Sequence, residues 1–134
     1  MHKALGYLGI ARMSGNIVLG EENAKACIKS GKARMILLAS DASEGVRKRV
    51  DGYVYGFHAP VVTAPWDGDA MGAALGRARC AVAVLPDLGL AKALADALAS
   101  EDPETYGPVA AALEVKRARI AQRAAKTGKR RKSE

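Results

Sequence analysis

The chain has 134 residues, of which 49% are apolar, 26% are charged and 4% are aromatic. This length is typical of a single domain. No apolar run is long enough to span a membrane, and residues 1–6 lack the apolar core of a secretory signal. We therefore expect a cytoplasmic protein with no membrane partner.

The positive charge is concentrated near the C-terminus. Lys and Arg number 21 and Asp and Glu number 14, which gives a net charge of +7. Residues 116–134 hold nine basic residues and one acidic residue, a net charge of +8. Residues 1–115 therefore hold 12 basic and 13 acidic residues and have a net charge of −1. Because the body is nearly neutral, it can bind nucleic acid only through a local patch.

Apolar periodicity changes between helix-like and strand-like along the chain. Residues 24, 27 and 28 recur at helical spacing, whereas the unbroken apolar run Met35–Ala39 is typical of a strand that is covered on both faces. Strands that alternate with helices predict a layered α/β domain, which we expect to be a three-layer α/β/α sandwich with a four-stranded mixed sheet. We predict helices over residues 3–13, 21–30, 43–55, 67–75 and 87–99, and strands over residues 17–19, 34–39, 59–63 and 80–85.

The apolar pattern stops near Leu98, and Pro103 follows shortly after it. We therefore expect residues 1–100 to form an α/β/α domain that folds on its own and residues 101–134 to form a basic tail. Residues 109–125 could be helical, although their apolar positions are sparse. A block of like charges such as residues 128–132 is typical of a disordered segment.

Patterns that carry catalysis or metal binding are missing from the sequence. No phosphate-binding GxxxxGK, dinucleotide-binding GxGxxG or paired-cysteine metal motif occurs. His58 stands alone at the start of a predicted strand. Asp67 and Asp69 are explained by a helix N-cap and a first-turn charge. The sequence thus predicts no enzyme, no catalytic residue, no metal and no cofactor.

Two motifs in the first half of the chain carry a family resemblance. Residues 8–15 read LGIARMSG and match the opening LG-x-A-R-x-x-G, and residues 30–43 read SGKARMILLASDAS and match a core S-G-K-A-x-x-x-L-L-A-S-D-A-S. In these features the chain resembles the short bacterial members of the kink-turn-binding ribosomal protein family, the L-seven-A-e and L-thirty-e group. The resemblance spans roughly residues 4–98 and is most specific before Pro60.

The resemblance implies a monomeric ribonucleoprotein component of translation that binds structured RNA, either kink-turn-like or ribosomal, without a cofactor. In that family a helix N-terminus docks on the sheared G·A pairs of a kink-turn, and a loop before the last strand packs against the bulged nucleotides. Carried over by position, the RNA-binding residues are Gly20, Glu22, Asn23 and Ala26 on the helix and Arg77, Ala78 and Arg79 on the loop.

Charged residues around this helix leave alternatives open. Lys25, Lys29 and Lys32 lie on the neighbouring helical face and either contribute to RNA binding or form a solvated surface. Strong binders of the family carry Asn or Lys at the position of Glu22 and Lys at that of Ala26. Acidic residues at this helix start favour a protein-interaction module of the translation or transcription machinery. A non-catalytic substrate-binding domain of the RNA methyltransferase type is a second alternative.

Overall fold

The computed structural model describes the backbone of residues 3–132 and the side chains of residues 3–125. Helices and strands alternate from residue 18 to the end of the fourth strand, as the sequence predicts. The helices are α1 (Lys3–Met13), α2 (Glu21–Lys29), α3 (Glu44–Val54), α4 (Gly68–Ala74), α5 (Leu88–Glu101) and α6 (Pro103–Lys132), and the strands are β1 (Val18–Leu19), β2 (Met35–Leu38), β3 (Val61–Thr63) and β4 (Val82–Leu85). None of the described helices is long and apolar enough to cross a membrane.

The four strands form one mixed sheet in the order β1-β4-β2-β3. The central strand β2 runs parallel to β3, with Ile36 opposite Val61, and antiparallel to β4, with Met35 opposite Leu85. The short strand β1 adds to the other edge of β4 in antiparallel orientation. The predicted four-stranded mixed sheet is confirmed.

Side chains of β2 alternate between two separate cores, because successive side chains of a strand point to opposite faces. Met35 and Leu37 belong to the larger cluster, which includes buried residues of α1, α4, α5 and α6. Ile36 and Leu38 belong to the smaller cluster, which includes buried residues of α2 and α3. Helices therefore cover both faces of the sheet, and the predicted three-layer α/β/α sandwich is confirmed.

Helix α6 contributes to the core, although the apolar pattern of the sequence stops near Leu98. Tyr106 is 6% exposed and Leu113 is 1% exposed, and both belong to the larger cluster. The Tyr106 hydroxyl donates a hydrogen bond of 2.7 Å to the Thr63 carbonyl oxygen at the end of β3. Residues beyond 100 thus stabilise the body directly. Independent folding of residues 1–100 stays a prediction.

Candidate nucleic-acid interface

The N-terminus of α2 differs from the N-termini of the helices that follow it. The N-cap side chains of α3, α4 and α5, which are Ser43, Asp67 and Asp87, each accept a hydrogen bond from a first-turn N–H group. The N-cap of α2 is Gly20, which has a φ of 88° and no side chain to offer. First-turn N–H groups have no partner within the helix, so those of α2 are left for an external acceptor.

Gly20 holds this helix start against the beginning of β4. Its N–H donates to the Val82 carbonyl oxygen at 3.1 Å, and its own carbonyl oxygen accepts from the Ala24 N–H at 2.9 Å. The buried Cys80 thiol donates to the same Val82 carbonyl oxygen at 3.2 Å; burial raises the pKa of this thiol, and the positive charge of Arg77 offsets part of that rise. The helix residues and the loop residues that were predicted separately therefore lie next to each other.

The loop before β4 is fixed to α4 by its backbone. The Arg77 N–H donates to the Gly72 carbonyl oxygen at 2.8 Å, and the Cys80 N–H donates to the Gly68 carbonyl oxygen at 2.9 Å. A side chain at Gly72 would place its Cβ 2.8 Å from the Arg79 Cα, so only glycine allows this close approach. The loop is held in one position relative to the helix.

Of the three predicted loop residues, Arg79 is the one whose side chain bonds to other described side chains. Its guanidinium donates to Asp41 Oδ2 at 2.9 Å and to Asp69 Oδ1 at 3.5 Å. The Gly68 N–H and the Arg79 guanidinium lower the pKa of Asp41, and Asp41 raises the pKa of Arg79. Arg79 therefore joins the loop to the end of β2. Arg77 and Ala78 are exposed, and Arg77 makes no side-chain hydrogen bond or ion pair with the residues whose side chains the structure describes.

Glu21 has partners on α3 that sequence reasoning missed. Its carboxylate accepts hydrogen bonds of 2.6 and 2.8 Å from Arg49 and one of 2.7 Å from the Tyr53 hydroxyl. Hydrogen bonds from Arg49 and then from Tyr53 lower the pKa of Glu21 to about 2. These partners lie 28 and 32 residues further along the chain, and no local motif connects them. One of the two acidic charges at this helix start is thus compensated.

Glu22 is exposed and makes no ion pair with any residue whose side chain is described. Asn23 is also exposed, and its Nδ2 donates to the Leu19 carbonyl oxygen at 3.1 Å. Ala26 is exposed one turn further along. These three residues and Gly20 all lie in the first two turns of α2 or at its cap, which is the arrangement that the sequence predicts.

The lysines of the neighbouring face lie against aromatic rings of the α3 region. The Lys25 ammonium lies 5.5 Å from the centre of the Tyr53 ring, and the Lys29 ammonium lies 5.8 Å from the centre of the Phe57 ring. Both distances are within the range of cation–π attraction. Lys32 is exposed beyond the end of the helix. Two of the three lysines are therefore positioned by the fold.

Residues considered for catalysis have structural roles. The Asp67 side chain accepts from the Ala70 N–H at 2.8 Å, which confirms the N-cap interpretation, and Asp69 pairs with Arg79. His58 is exposed just before β3. Among the described residues, no group of three or more His, Cys, Asp or Glu side chains could hold a metal ion.

The sheet order, the two helical layers and the helix start beside the β4 loop define a small α/β/α domain. The sequence model of the ribosomal protein L7Ae/L30e/S12e/Gadd45 family matches residues 2–89. The chain belongs to this family, as the motifs at residues 8–15 and 30–43 indicate.

Individual relatives agree with this assignment. The chain is 40% identical over 48 residues to the RNA-binding protein YlxQ of Enterococcus faecium, and 38% identical over 40 residues to the large ribosomal subunit protein eL30 of Methanoregula boonei. These matches cover 36% and 30% of this chain and 47% and 41% of the relatives, so the chain matches less than half the length of either.

Solved structures share the fold over a larger part of the chain. A protein of unknown function from Bacillus halodurans superposes with a TM-score of 0.68 at 25% identity, covering 72% of this chain and 97% of that protein. A 15.5 kDa RNA-binding protein of Giardia lamblia superposes with a TM-score of 0.59 at 18% identity, covering 72% and 82%. At 18% identity, the similarity to the Giardia protein shows only that the two proteins share a fold.

Proposed function

We propose that this protein binds structured RNA through the N-terminus of α2 and the adjacent loop at residues 76–80. The observation that carries this proposal is that the Gly20 N–H and the Cys80 thiol both donate to the Val82 carbonyl oxygen, because this brings the helix start close to the end of the loop. Membership of the family and the name of the Enterococcus relative support the proposal.

The chemistry of this surface suits an RNA backbone with accessible base edges. First-turn N–H groups of α2 without a capping side chain can donate to a phosphate oxygen. Arg77, which is exposed on the loop, can pair with a second phosphate or stack on a splayed base. The Asn23 amide can reach a base edge if it leaves the Leu19 carbonyl. The RNA in this proposal is kink-turn-like or ribosomal.

Glu22 sets this chain apart within that proposal. An exposed carboxylate in the first turn repels phosphate, unless it accepts a hydrogen bond from a base amino group. The pairing of Glu21 with Arg49 leaves Glu22 as the acid that faces the ligand. The same pairing weakens the case for a protein-interaction module, since that alternative depended on two uncompensated acids. We propose a monomeric, non-enzymatic component of a cytoplasmic ribonucleoprotein, with the basic residues after 115 adding affinity that does not depend on sequence.

The proposal is tested by titrating the protein with a kink-turn RNA and with a fully paired duplex of the same length. The protein should prefer the kink-turn, and Arg77→Gln should reduce that preference by at least about tenfold, as expected for one lost hydrogen bond to a charged group. Lys48→Gln removes an exposed positive charge on α3 and is the matched control. Equal binding of both RNAs would contradict shape recognition, and binding of neither would contradict RNA binding itself.

A further inference from the structure

A groove lies between α6 and the segment that leads into β3, away from the interface at Gly20. Its volume is about 730 Å³, which is the size of a small-ligand site. The lining includes Arg34 before β2, His58 before β3, and Lys116 and Arg119 on α6. Arg34 lies at the opposite end of β2 from Asp41, and thus at the far end of the sheet from Arg79.

The groove is positively charged and contains no carboxylate among its lining residues. Lys116 lines both the groove and the adjoining cleft, and its Nζ donates to the His58 carbonyl oxygen at 3.4 Å. Burial lowers the pKa of Lys116, and the positive charge of Arg34 lowers it further. Cations that are held together without a counter-charge are attracted to an anionic ligand.

The one acidic side chain on this part of α6 points elsewhere. Glu114 pairs with Lys92 of α5 at 3.2 Å and with Arg117 at 2.7 Å. The Glu114–Lys92 ion pair and the burial of Leu113 hold α6 against the body of the protein. Residues 112, 115, 116, 119 and 120 recur at helical spacing, and all of them line the groove. The helix thus presents one continuous face to it.

The ring of Phe57 lies in a second cleft next to the groove. This smaller cleft of about 200 Å³ is lined by Phe57 and, like the groove, by Arg34, His58 and Lys116. Phe57 is 37% exposed. Exposed rings beside cations are the combination that binds unpaired nucleotides, because each base can stack while its phosphate is neutralised.

We propose that this groove is a second RNA site, which takes a short single-stranded segment next to the structured element bound at α2. The inference rests on the proposed RNA-binding function and adds a substrate feature, an unpaired extension. A single-stranded RNA fits better than an acidic peptide because Phe57 and His58 offer ring faces for bases. Val115 and Ile120 supply apolar surface against which a sugar or base edge can pack.

Helix α2 connects the two sites. Lys25 and Lys29 lie one turn apart on its exposed side, between Gly20 and Arg34. Nine helical residues span about 13 Å at 1.5 Å per residue, a distance that two or three extended nucleotides can bridge. The family match ends at residue 89 and α6 starts at Pro103, so this half of the groove lies outside the matched segment.

The test uses the full chain and two RNAs: a blunt-ended kink-turn duplex and the same duplex with a single-stranded extension of six uridines. The extension should raise affinity about tenfold, the gain that corresponds to stacking of one or two bases. Phe57→Leu combined with His58→Ala should abolish this gain and leave binding of the blunt duplex unchanged. Lys48→Gln should preserve the gain and is the control for loss of an exposed charge.

Three outcomes would overturn the inference alone. In the first, the extension adds no affinity to the unmodified protein, although the blunt duplex binds. In the second, the gain survives in the Phe57→Leu, His58→Ala variant, which would assign it to the basic C-terminal residues. In the third, a synthetic acidic amphipathic peptide binds the groove and loses affinity in that variant, while the extended RNA gains nothing. Failure of the blunt duplex to bind at all would overturn the proposed function and the inference with it.

Discussion

The interface around Gly20 and the groove beside α6 differ in how their charges are compensated. At the interface Arg79 is paired with Asp41 and Asp69, and Glu21 is paired with Arg49. In the groove Arg34, Lys116 and Arg119 line a surface without a carboxylate. The paired side chains hold the interface in a fixed shape, whereas Arg34, Lys116 and Arg119 give the groove a net positive charge.

This difference separates two contributions to binding. Where charged side chains are already bonded to each other, electrostatic attraction adds little affinity for RNA. Such a surface can distinguish RNAs by their shape. A surface with uncompensated cations gains affinity from any phosphate backbone, and that gain falls as salt rises.

Removal of the helix that builds the groove should have the largest effect. A chain that ends after Ser100 loses the buried side chains of Tyr106 and Leu113. It should still unfold cooperatively, with a free energy of unfolding lower by about 3–5 kcal/mol, the cost typical of losing large buried side chains. Urea titration measures this. A chain that ends after Ala125 keeps both side chains and should unfold like the full chain. An unchanged stability of the shorter chain would show that α6 is not part of the core.

Deletion of residues 126–134 should change the salt dependence of binding and leave the groove in place. The deleted segment carries five basic residues and one acidic residue. The slope of log K against log salt should become shallower by about 3 for binding to RNA, because each released phosphate contact contributes about 0.7–0.9. The preference for a kink-turn over a paired duplex should remain, since it is assigned to α2 and the β4 loop. A preference that disappears with the segment would contradict that assignment.

Introducing the residues that strong binders of the family carry should raise the affinity of the interface for a kink-turn. Glu22→Asn removes a repulsive charge and Ala26→Lys adds a cation, and both positions are exposed. Each change should contribute about 1–3 kcal/mol, as for a hydrogen bond to a charged group, so kink-turn affinity should rise at least about thirtyfold for the two together. The paired duplex is the control, because an equal rise there would reflect charge alone. Unchanged affinity for both RNAs would mean that this helix does not face RNA.

The smallest effect should come from the ion pair that holds the start of α2. The pKa of Glu21 is lowered from 4.5 to about 2. Its carboxylate therefore stabilises the fold fully above about pH 4.5, and this contribution is lost as the pH falls through about 2. Glu21→Gln should lower the free energy of unfolding at pH 7 by about 1 kcal/mol or less, as for a partly exposed pair.

The pH dependence distinguishes this ion pair from a general effect of removing an acid. The difference in stability between the protein and its Glu21→Gln variant should shrink as the pH is lowered from 4.5 toward 2. Glu22→Gln removes a neighbouring acid without an ion pair among the described residues, so it should change stability by less than about 0.5 kcal/mol at any of these pH values. A variant difference that does not vary with pH would contradict the pairing.

Local features of the sequence were sufficient to predict the helices and strands of residues 3–99 and to indicate the family. The helices and strands follow apolar periods that are local, and each predicted element of residues 3–99 lies within about two residues of the observed one, as is usual for such boundaries. The caps at Ser43, Asp67 and Asp87 are local as well, because an N-cap bonds a residue two or three positions away. The motif that ends at Ser43 was sufficient to indicate the family.

Which charged side chains can reach a ligand depends on the tertiary structure. Arg79 was expected to bind RNA, and the fold pairs it with Asp41, 38 residues earlier in the chain. The groove at Arg34 and His58 needs the parallel pairing of β2 with β3, which brings the starts of the two strands together, and the docking of α6; neither has a local signal. Charged side chains have no period and reach partners across the sheet, so their pairing follows from strand order and helix packing.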